Sequence, residues 1–412
     1  MTSNALVIDT GYAWLRLAAS VLLTTVGCAG MYVCMVAVPA YQLDFSITRM
    51  DASLPFTFVM LGFGVGSLVM GGIVDRFGIV LPLAISSLFL AGAFFLAARL
   101  ESFAAFALVH LMIGAFGCAA VFSPLLADIS RWFVRYRGFA IAVCASGNYI
   151  AGTVWPPMIG TMISTIGWRS MYESFALLSI LLMAPLLLAL RRKPPAHDDE
   201  PFGGGSRGSA SSLGLTPNQL TTTLSFAGVA CCTAMAMPQA HVVALAVDLG
   251  LSVAEGAGML SLMFGCGVVS RLVFGWLSDR IGGLATLLLS SSLQFLALLM
   301  FLPAQGPTLL YVAAALFGLF QGGIVPCYAL IVREYFPASQ AGARTGIIVF
   351  ATLLGMAFGG WASGALYDMT GSYDAAFIHG AGWNLVNMVI VGMLLMRARR
   401  YILLRPGRAQ SA

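Results

Sequence analysis

Residues 71–78 read GGIVDRFG, and residues 275–282, which lie 204 positions later, read GWLSDRIG. Two other landmarks recur at nearly the same offset, namely Pro124 at Pro326 and Gly167 at Gly371. Self-similarity at one offset is the signature of a duplicated structural unit. The sequence therefore predicts two homologous halves that follow each other along the chain in the same orientation.

The amino-acid composition excludes an ordinary water-soluble fold. Of the 412 residues, 59% are hydrophobic and only 9% are charged, whereas a typical soluble domain carries about 25% charged residues. The 21 basic and 16 acidic side chains are too few to cover a 43.4 kDa protein in water. Lipid is therefore the expected solvent for most of the surface.

Twelve apolar stretches have about the 20 residues needed to cross the roughly 30 Å core of a bilayer. They lie at 16–40, 53–74, 79–98, 104–126, 138–163, 171–190, 222–247, 256–277, 283–303, 307–332, 343–367 and 375–397. We expect an all-α polytopic membrane protein with 12 transmembrane helices in two six-helix pseudo-repeats. An N-terminal half (1–190) would be joined by a flexible, Pro-, Gly- and Ser-rich cytoplasmic linker (191–221) to a C-terminal half with a short cytoplasmic tail (222–412).

The basic residues predict the orientation of the chain in the membrane. With twelve spans both termini share one side, and 17 of the 21 Lys and Arg residues fall on that side. The other side holds Arg49, Arg99 and Arg169. Because cytoplasmic loops are enriched in Lys and Arg, we expect a multi-pass protein of the bacterial inner membrane with both termini in the cytoplasm. The remaining basic residue is Arg271, inside a span.

The repeated G-x-x-x-D-R-x-G element resembles the signature loop of the major facilitator superfamily. Two further stretches are similar to the monocarboxylate transporter branch of that superfamily, namely Asp9–Trp14 (DTGYAW) and Trp132–Ala140 (WFVRYRGFA). Oxalate and formate exchangers share parts of these motifs. The resemblance implies the major facilitator fold and a transporter whose halves rock about a site between them.

Arg271 lies 15 residues into the eighth span and 8 residues before Asp279. This position is near the middle of the bilayer, where an arginine costs at least about 2.5 to 3.5 kcal/mol unless it meets water, a counter-ion or a ligand. All sixteen acidic residues can be placed in loops or at helix ends, so an anionic substrate is the expected partner, and a guanidinium matches a carboxylate bidentately. The resemblance agrees, because monocarboxylate transporters place a substrate-binding Arg in this helix. An Arg satisfied by backbone carbonyls and water is the alternative.

Four other polar residues within apolar spans are candidate substrate-binding residues, namely Tyr32, Asn148, Gln321 and Tyr328. Each has a group that can hydrogen-bond a hydroxyl or keto oxygen of a substrate. Hydrogen bonding between helices is the alternative role for all four.

His241 is the candidate proton-coupling residue. Histidine titrates near neutral pH, and His241 follows Pro238, which we expect to break the seventh helix locally. His110 and His379 also lie in spans. The resemblance implies an Asp one turn before the substrate-binding Arg, but that position is Gly267 here. A histidine or the substrate's own carboxylate would therefore have to carry the proton.

Charged residues at the cytoplasmic helix ends are predicted to form a gate that is closed in the outward-facing state and broken on inward opening. The candidate gate residues are Asp75, Arg76, Asp128, Arg131, Asp279, Arg280 and Glu334. This hypothesis combines their placement with the resemblance, because the Asp–Arg pairs lie in the repeated signature loops.

The sequence shows no nucleophile and base pair, phosphate-binding loop or metal-ligand cluster, so we expect no enzyme activity, catalytic residue, metal or cofactor. The prediction is a secondary active transporter of small organic anions, specifically a proton-coupled monocarboxylate carrier that works by alternating access. Its expected partners are a small carboxylate, protons and the bilayer, with no nucleic acid, and the monomer is the expected functional form. An oxalate/formate-type exchanger is the nearest alternative, although the eleventh helix offers no second cation for a dicarboxylate. A multidrug exporter and a non-transporting receptor on the same fold are further alternatives.

Overall fold

The computed structural model of the protein describes residues 8–192, 210–304 and 306–404, and within these ranges it contains helices and no β-strand. The N-terminal half has six membrane helices: α1 (Gly11–Gly27, continued by Ala29–Val36 and Val38–Phe45), α2 (Arg49–Phe77), α3 (Val80–Arg99), α4 (Phe103–Ile129), α5 (Arg137–Ile166) and α6 (Trp168–Leu188). The C-terminal half has six more: α7 (Pro217–Asp248), α8 (Val253–Ile281), α9 (Gly283–Leu299), α10 (Pro307–Tyr335), α11 (Ala338–Thr370) and α12 (Asp374–Leu404).

Ten of these twelve helices are long and apolar enough to cross a membrane. The others are α9, an apolar helix of 17 residues, and α5, which has 30 residues and contains Pro156 and Pro157. The predicted all-α architecture is confirmed. Residues 193–209 of the predicted linker lie outside the described residues.

The glycines of the repeated landmarks are required by the backbone at helix ends. Gly78 ends α2 with φ +73°, and Gly282 ends α8 with φ +84°. Gly167 after α5 and Gly371 after α11 have φ values of +80° and +70°. Side chains with a Cβ rarely adopt this region. The two halves therefore repeat backbone turns as well as residues.

The seventh helix begins at Pro217, ahead of the apolar stretch that starts at residue 222. Thr216 caps it, because the Thr216 hydroxyl accepts a hydrogen bond from the Gln219 backbone N–H and the Gln219 side chain accepts one from the Thr216 N–H. This reciprocal arrangement satisfies two N–H groups that a helix start otherwise leaves unpaired. Proline at the first helical position has a suitable φ and no N–H to satisfy.

Glycines allow α2 and α4 to pack backbone against backbone. A Cβ added at Gly62 would overlap the carbonyl of Leu111, and a Cβ added at Gly114 would overlap the carbonyl of Val59. Small residues at helix interfaces permit this approach in membranes.

We expect Gly62→Ala to destabilise the protein by about 1 to 3 kcal/mol, because the added methyl forces α2 and α4 apart. The matched control is Gly72→Ala in the same helix, where a Cβ meets nothing within 4 Å and the higher helix propensity of Ala is the main effect. Thermal unfolding of the purified protein in detergent measures both variants. Equal melting temperatures for the two would contradict this account of the α2–α4 contact.

The bundle has two ends that are distinguished by the chain direction. We call the end where α1 begins and α12 ends the termini end, and the other the far end. At the far end, a Cβ at Gly364 of α11 would lie within 3 Å of the start of α2, and nearer the middle a Cβ at Gly64 would lie 2.9 Å from the Phe350 ring. Towards the termini end, Cβ atoms at Gly72 and Gly346 would meet none of the described residues within 4 Å. Helices α2 and α11 therefore diverge towards the termini end.

Helices α5 and α8 diverge in the same direction. A Cβ at Gly160 would lie 3.1 Å from the Cβ of Ala257 near the far end. Nearer the termini end, a Cβ at Gly138 or Gly275 would have no atom of the described ranges within 4 Å. The two halves thus form a wedge that is closed at the far end and open at the termini end.

Candidate substrate site between the two halves

Arg271 lies on α8 at the depth where the two halves separate. Its Nη1 donates a hydrogen bond of 2.7 Å to the backbone oxygen of Ala145 on α5, in the other half. The guanidinium lies over the Tyr149 ring, 3.9 Å from the ring centroid. Its Nε is buried and has no hydrogen-bond partner in the part of the chain that the structure describes. The Nε–H of Arg271 is therefore a hydrogen-bond donor without an acceptor within the described ranges.

Aromatic side chains cover Arg271 on its far-end side. Phe264 precedes Arg271 on α8 by about 10 Å of helix, and its ring packs edge-on against Tyr32 of α1 and Tyr149 of α5 at centroid distances of 5.0 and 5.3 Å. The Tyr32 hydroxyl donates to the backbone and side-chain oxygens of Asn148 at 2.6 and 2.8 Å. This aromatic layer, formed by Tyr32, Tyr149 and Phe264, separates Arg271 from the far end.

Gln321 and Tyr328 make their hydrogen bonds inside the C-terminal half. Gln239 of α7 donates to Gln321 at 2.6 Å, and the Nε2 of Gln321 is buried without a partner. The Tyr328 hydroxyl donates to Asn387 of α12 at 2.9 Å. Both side chains are fully buried. The structure therefore gathers Arg271, Tyr32 and Asn148 at the junction of the halves and gives Gln321 and Tyr328 the interhelical contacts of the alternative reading.

His241 is fully buried and faces α11 and the loop before α12. Its Nε2 lies 2.7 Å from the Gly360 backbone oxygen and its Nδ1 lies 3.0 Å from the Tyr373 hydroxyl. His110 contacts Phe106 and Tyr172 within the N-terminal half. The contacts of His241 therefore point to the far end of the bundle, not to Arg271.

Several candidate gate residues lie exposed at the open termini end. Asp75 and Arg131 face each other at 3.8 Å within the N-terminal half, with 73% and 53% of their side chains exposed. Arg76, Asp279 and Arg280 are exposed as well. An exposed pair at this distance contributes little stability.

Two other candidate gate residues make contacts inside one half. Asp128 pairs with Arg16 at 2.6 Å, and the Arg16 side chain is completely buried. Glu334 accepts a hydrogen bond of 2.9 Å from the backbone N–H of Gly283, at the start of α9. In the part of the chain that the structure describes, no group of three or more His, Cys, Asp or Glu residues is arranged to hold a metal ion.

A family model described as Major Facilitator Superfamily matches residues 21–307 and, in a second match, residues 220–410. Monocarboxylate transporter 13 of Rattus norvegicus is 29% identical over 287 residues, which are 68% of this chain and 65% of that protein. MFS transporter asaE of Aspergillus flavus is 27% identical over 264 residues, 63% of this chain and 58% of that protein. This chain thus covers less than two thirds of the length of either relative. The MFS-type transporter YcxA of Bacillus subtilis is 25% identical over 343 residues, 81% of this chain and 82% of that protein.

The fold is similar to the crystal structure of a bacterial homologue of the human lysosomal transporter Spinster in an inward-facing, unoccupied conformation. The TM-score is 0.69, and the match covers 96% of this chain and 97% of the other. The sequences are 16% identical, so the similarity concerns the fold alone.

Proposed function

Since this chain belongs to the Major Facilitator Superfamily and is a multi-pass membrane transporter, we propose that it carries small organic anions whose carboxylate binds Arg271. One observation carries this proposal: the Nε of Arg271 is buried at the junction of the halves and has no acceptor among the described residues. An unpaired cationic donor at membrane depth is costly, and a carboxylate that accepts from Nε and Nη2 together would remove that cost.

The contacts of Arg271 also suggest how binding couples to movement of the halves. Its Nη1 bonds Ala145 across the junction, and its guanidinium rests on Tyr149 of the same opposing helix. A carboxylate bound beside these contacts would enter from the open termini end and stop at the aromatic layer of Tyr32, Tyr149 and Phe264. Rocking of the halves would open that layer and expose the anion at the far end, which is alternating access.

We propose that the transported species is a monocarboxylate moved together with a proton, and that the termini end faces the cytoplasm. The excess of Lys and Arg on the side of the termini supports this orientation. The similarity to a monocarboxylate transporter supports the substrate class. We propose His241 as the residue that carries the proton; its Nδ1 lies near the Tyr373 hydroxyl and its Nε2 near the Gly360 backbone oxygen.

Uptake by proteoliposomes tests the proposal. The protein is reconstituted, an inward proton gradient is imposed, and labelled lactate, pyruvate and a panel of other mono- and dicarboxylates are supplied, with lactamide as the uncharged control. We expect a monocarboxylate to accumulate with the gradient and lactamide to remain at the level of empty liposomes. Accumulation only in liposomes preloaded with another anion would indicate anion exchange and contradict proton symport. Absence of any carboxylate uptake would contradict the proposal.

We expect His241→Gln to retain downhill uptake and lose most of its stimulation by the proton gradient. Glutamine can donate to Gly360 and accept from Tyr373 but does not titrate, so it mimics neutral His241. The measurement compares initial uptake rates with and without an imposed gradient. His110→Gln is the matched control, because His110 is equally buried but bonded within the N-terminal half. Full gradient stimulation in His241→Gln would assign the proton to another group, such as the substrate's carboxylate.

A further inference from the structure

Arg49, at the start of α2, makes its side-chain contacts with the C-terminal half. Its Nη2 pairs with Asp248 at the end of α7 at 2.9 Å, and its Nη1 donates to the Tyr373 hydroxyl at 2.8 Å. The guanidinium also lies 4.5 Å from the ring centroid of Tyr367 on α11. Only 7% of the Arg49 side chain is exposed. One arginine of the N-terminal half is thus held by α7, by α11 and by the loop that follows α11.

The backbone around Arg49 is held by the same half. The Asp368 carboxylate of α11 accepts hydrogen bonds from the backbone N–H groups of Arg49 at 2.9 Å and Met50 at 2.7 Å. These N–H groups belong to the first turn of α2, where a negative charge is favoured by the helix dipole. The contacts of Arg49 and Asp368 therefore join the halves at the far end, where the wedge is closed.

We propose that Arg49 is the latch of the far-end gate and that His241 controls this latch through Tyr373. Opening the site to the far end separates α2 from α7 and α11, so the Arg49–Asp248 pair and the Asp368 contacts must break in the same movement. The seven gate candidates recognised from the sequence all belong to the termini end, so this latch supplies a gate for the opposite end.

The hydrogen-bond directions show how His241 acts on the latch. The Gly360 oxygen only accepts, so His241 Nε2 carries a hydrogen, and in neutral His241 the Nδ1 accepts from the Tyr373 hydroxyl. Tyr373 in turn accepts from Arg49. When Nδ1 gains a proton, both neighbours of the Tyr373 oxygen become donors, and its own hydrogen loses its acceptor. A second positive charge also arises near Arg49.

The charged and titratable groups near His241 and Arg49 come from each element packed around these two residues. They are Arg49 of α2, Asp248 of α7, Tyr367 and Asp368 of α11, and Tyr373 of the following loop. Protonation of His241 weakens the bond from Tyr373 and repels Arg49. Low pH is therefore expected to loosen the latch and favour opening at the far end.

Distances between spin labels across the far end test the latch. Glu101 in the α3–α4 loop and Thr308 at the start of α10 are exposed at that end, one in each half, and carry the labels as Glu101→Cys and Thr308→Cys. Seven of the eight native cysteines are buried, and Cys266→Ser removes the partly exposed one. The inference rests on the alternating-access part of the proposed function. The measurement contains no substrate, so it stands even if no carboxylate is transported.

In Arg49→Gln we expect the ratio of long to short label distances to rise by about tenfold or more, because breaking one partner of a buried pair is costly to the closed state. Tyr373→Phe removes only the bridging hydroxyl and should cause a smaller shift in the same direction, which keeps the test valid if Arg49→Gln fails to fold. Arg99→Gln is the matched control, because Arg99 pairs with Glu173 at the same end but within one half. Parent-like distances in both Arg49→Gln and Tyr373→Phe would overturn the latch.

The same labels test the role of His241. Between pH 7.5 and pH 4.0 we expect the long-distance population of the parent to grow and that of His241→Gln to grow less. An equal pH response in the two proteins would overturn the control by His241.

Discussion

Arg271→Gln is expected to reduce carboxylate uptake in proteoliposomes at least about 30-fold. Glutamine keeps a hydrogen-bond donor but removes the positive charge that a buried carboxylate needs. Loss of one partner of a buried, hydrogen-bonded charge pair costs about 2 to 5 kcal/mol, and each 1.4 kcal/mol is a factor of ten. Arg271→Lys keeps the charge and is still expected to lose at least about tenfold, because an ammonium cannot bond Ala145 and both carboxylate oxygens in the geometry of the guanidinium.

Arg99→Gln is the control for a lost positive charge, since Arg99 is exposed at the far end and pairs with Glu173 of its own half. It should transport at the parent's rate. The melting temperature of Arg271→Gln shows whether the variant is folded. A folded Arg271→Gln protein that accumulates carboxylate as the parent does would make Arg271 a structural residue, and the anion site would have to lie elsewhere.

The sequence identified Arg271 as a candidate substrate-binding residue because a charge within a long apolar stretch stands out against its neighbours. The partners of Arg271 were not predictable in the same way. Tyr149 looks like a packing aromatic within an apolar helix, and the acceptor on Ala145 is a backbone oxygen that every residue has. Only the approach of α5 to α8 brings these groups to the guanidinium.

The sequence also did not indicate which side of each helix faces the interior of the bundle and which faces lipid. In a soluble helix the polar face marks the solvent side, but a helix in lipid is apolar on most of its faces. Gln321 and Tyr328 therefore stood out as polar without indicating a direction, and the structure bonds them to Gln239 and Asn387 in their own half.

The fold was more predictable than the site because its sequence patterns extend over many residues. Twelve apolar stretches and the repeated glycines gave the helices and the two halves, and the glycines proved to be positions of positive φ. The latch of Arg49 was not recognised, because the sequence showed only an arginine in a short loop. Its partners Asp248 and Tyr373 lie about 200 and more than 300 positions away along the chain.

Arg16→Gln is expected to destabilise the protein by about 3 to 5 kcal/mol, the cost of leaving one charge of a buried pair without its partner. Arg16 binds Asp128 through two hydrogen bonds of 2.6 and 2.9 Å, and its Nη1 donates to the Arg192 backbone oxygen at 3.1 Å. Its guanidinium also lies 4.5 Å from the ring centroid of Trp132. One side chain thus ties α1 to α4, to the segment that follows α6 and to the turn before α5.

Unfolding of the purified protein in detergent, followed by heat, measures this loss, and Arg131→Gln provides the control. Arg131 is exposed and meets Asp75 at 3.8 Å, so its loss should change stability by less than about 1 kcal/mol. The double variant Arg16→Met, Asp128→Leu should recover much of the loss, because a buried pair can be replaced by apolar side chains at little cost. If Arg16→Gln melts like the parent, the pair is not structural. Asp128 would then be free to act in the termini-end gate, as its position in the sequence suggests.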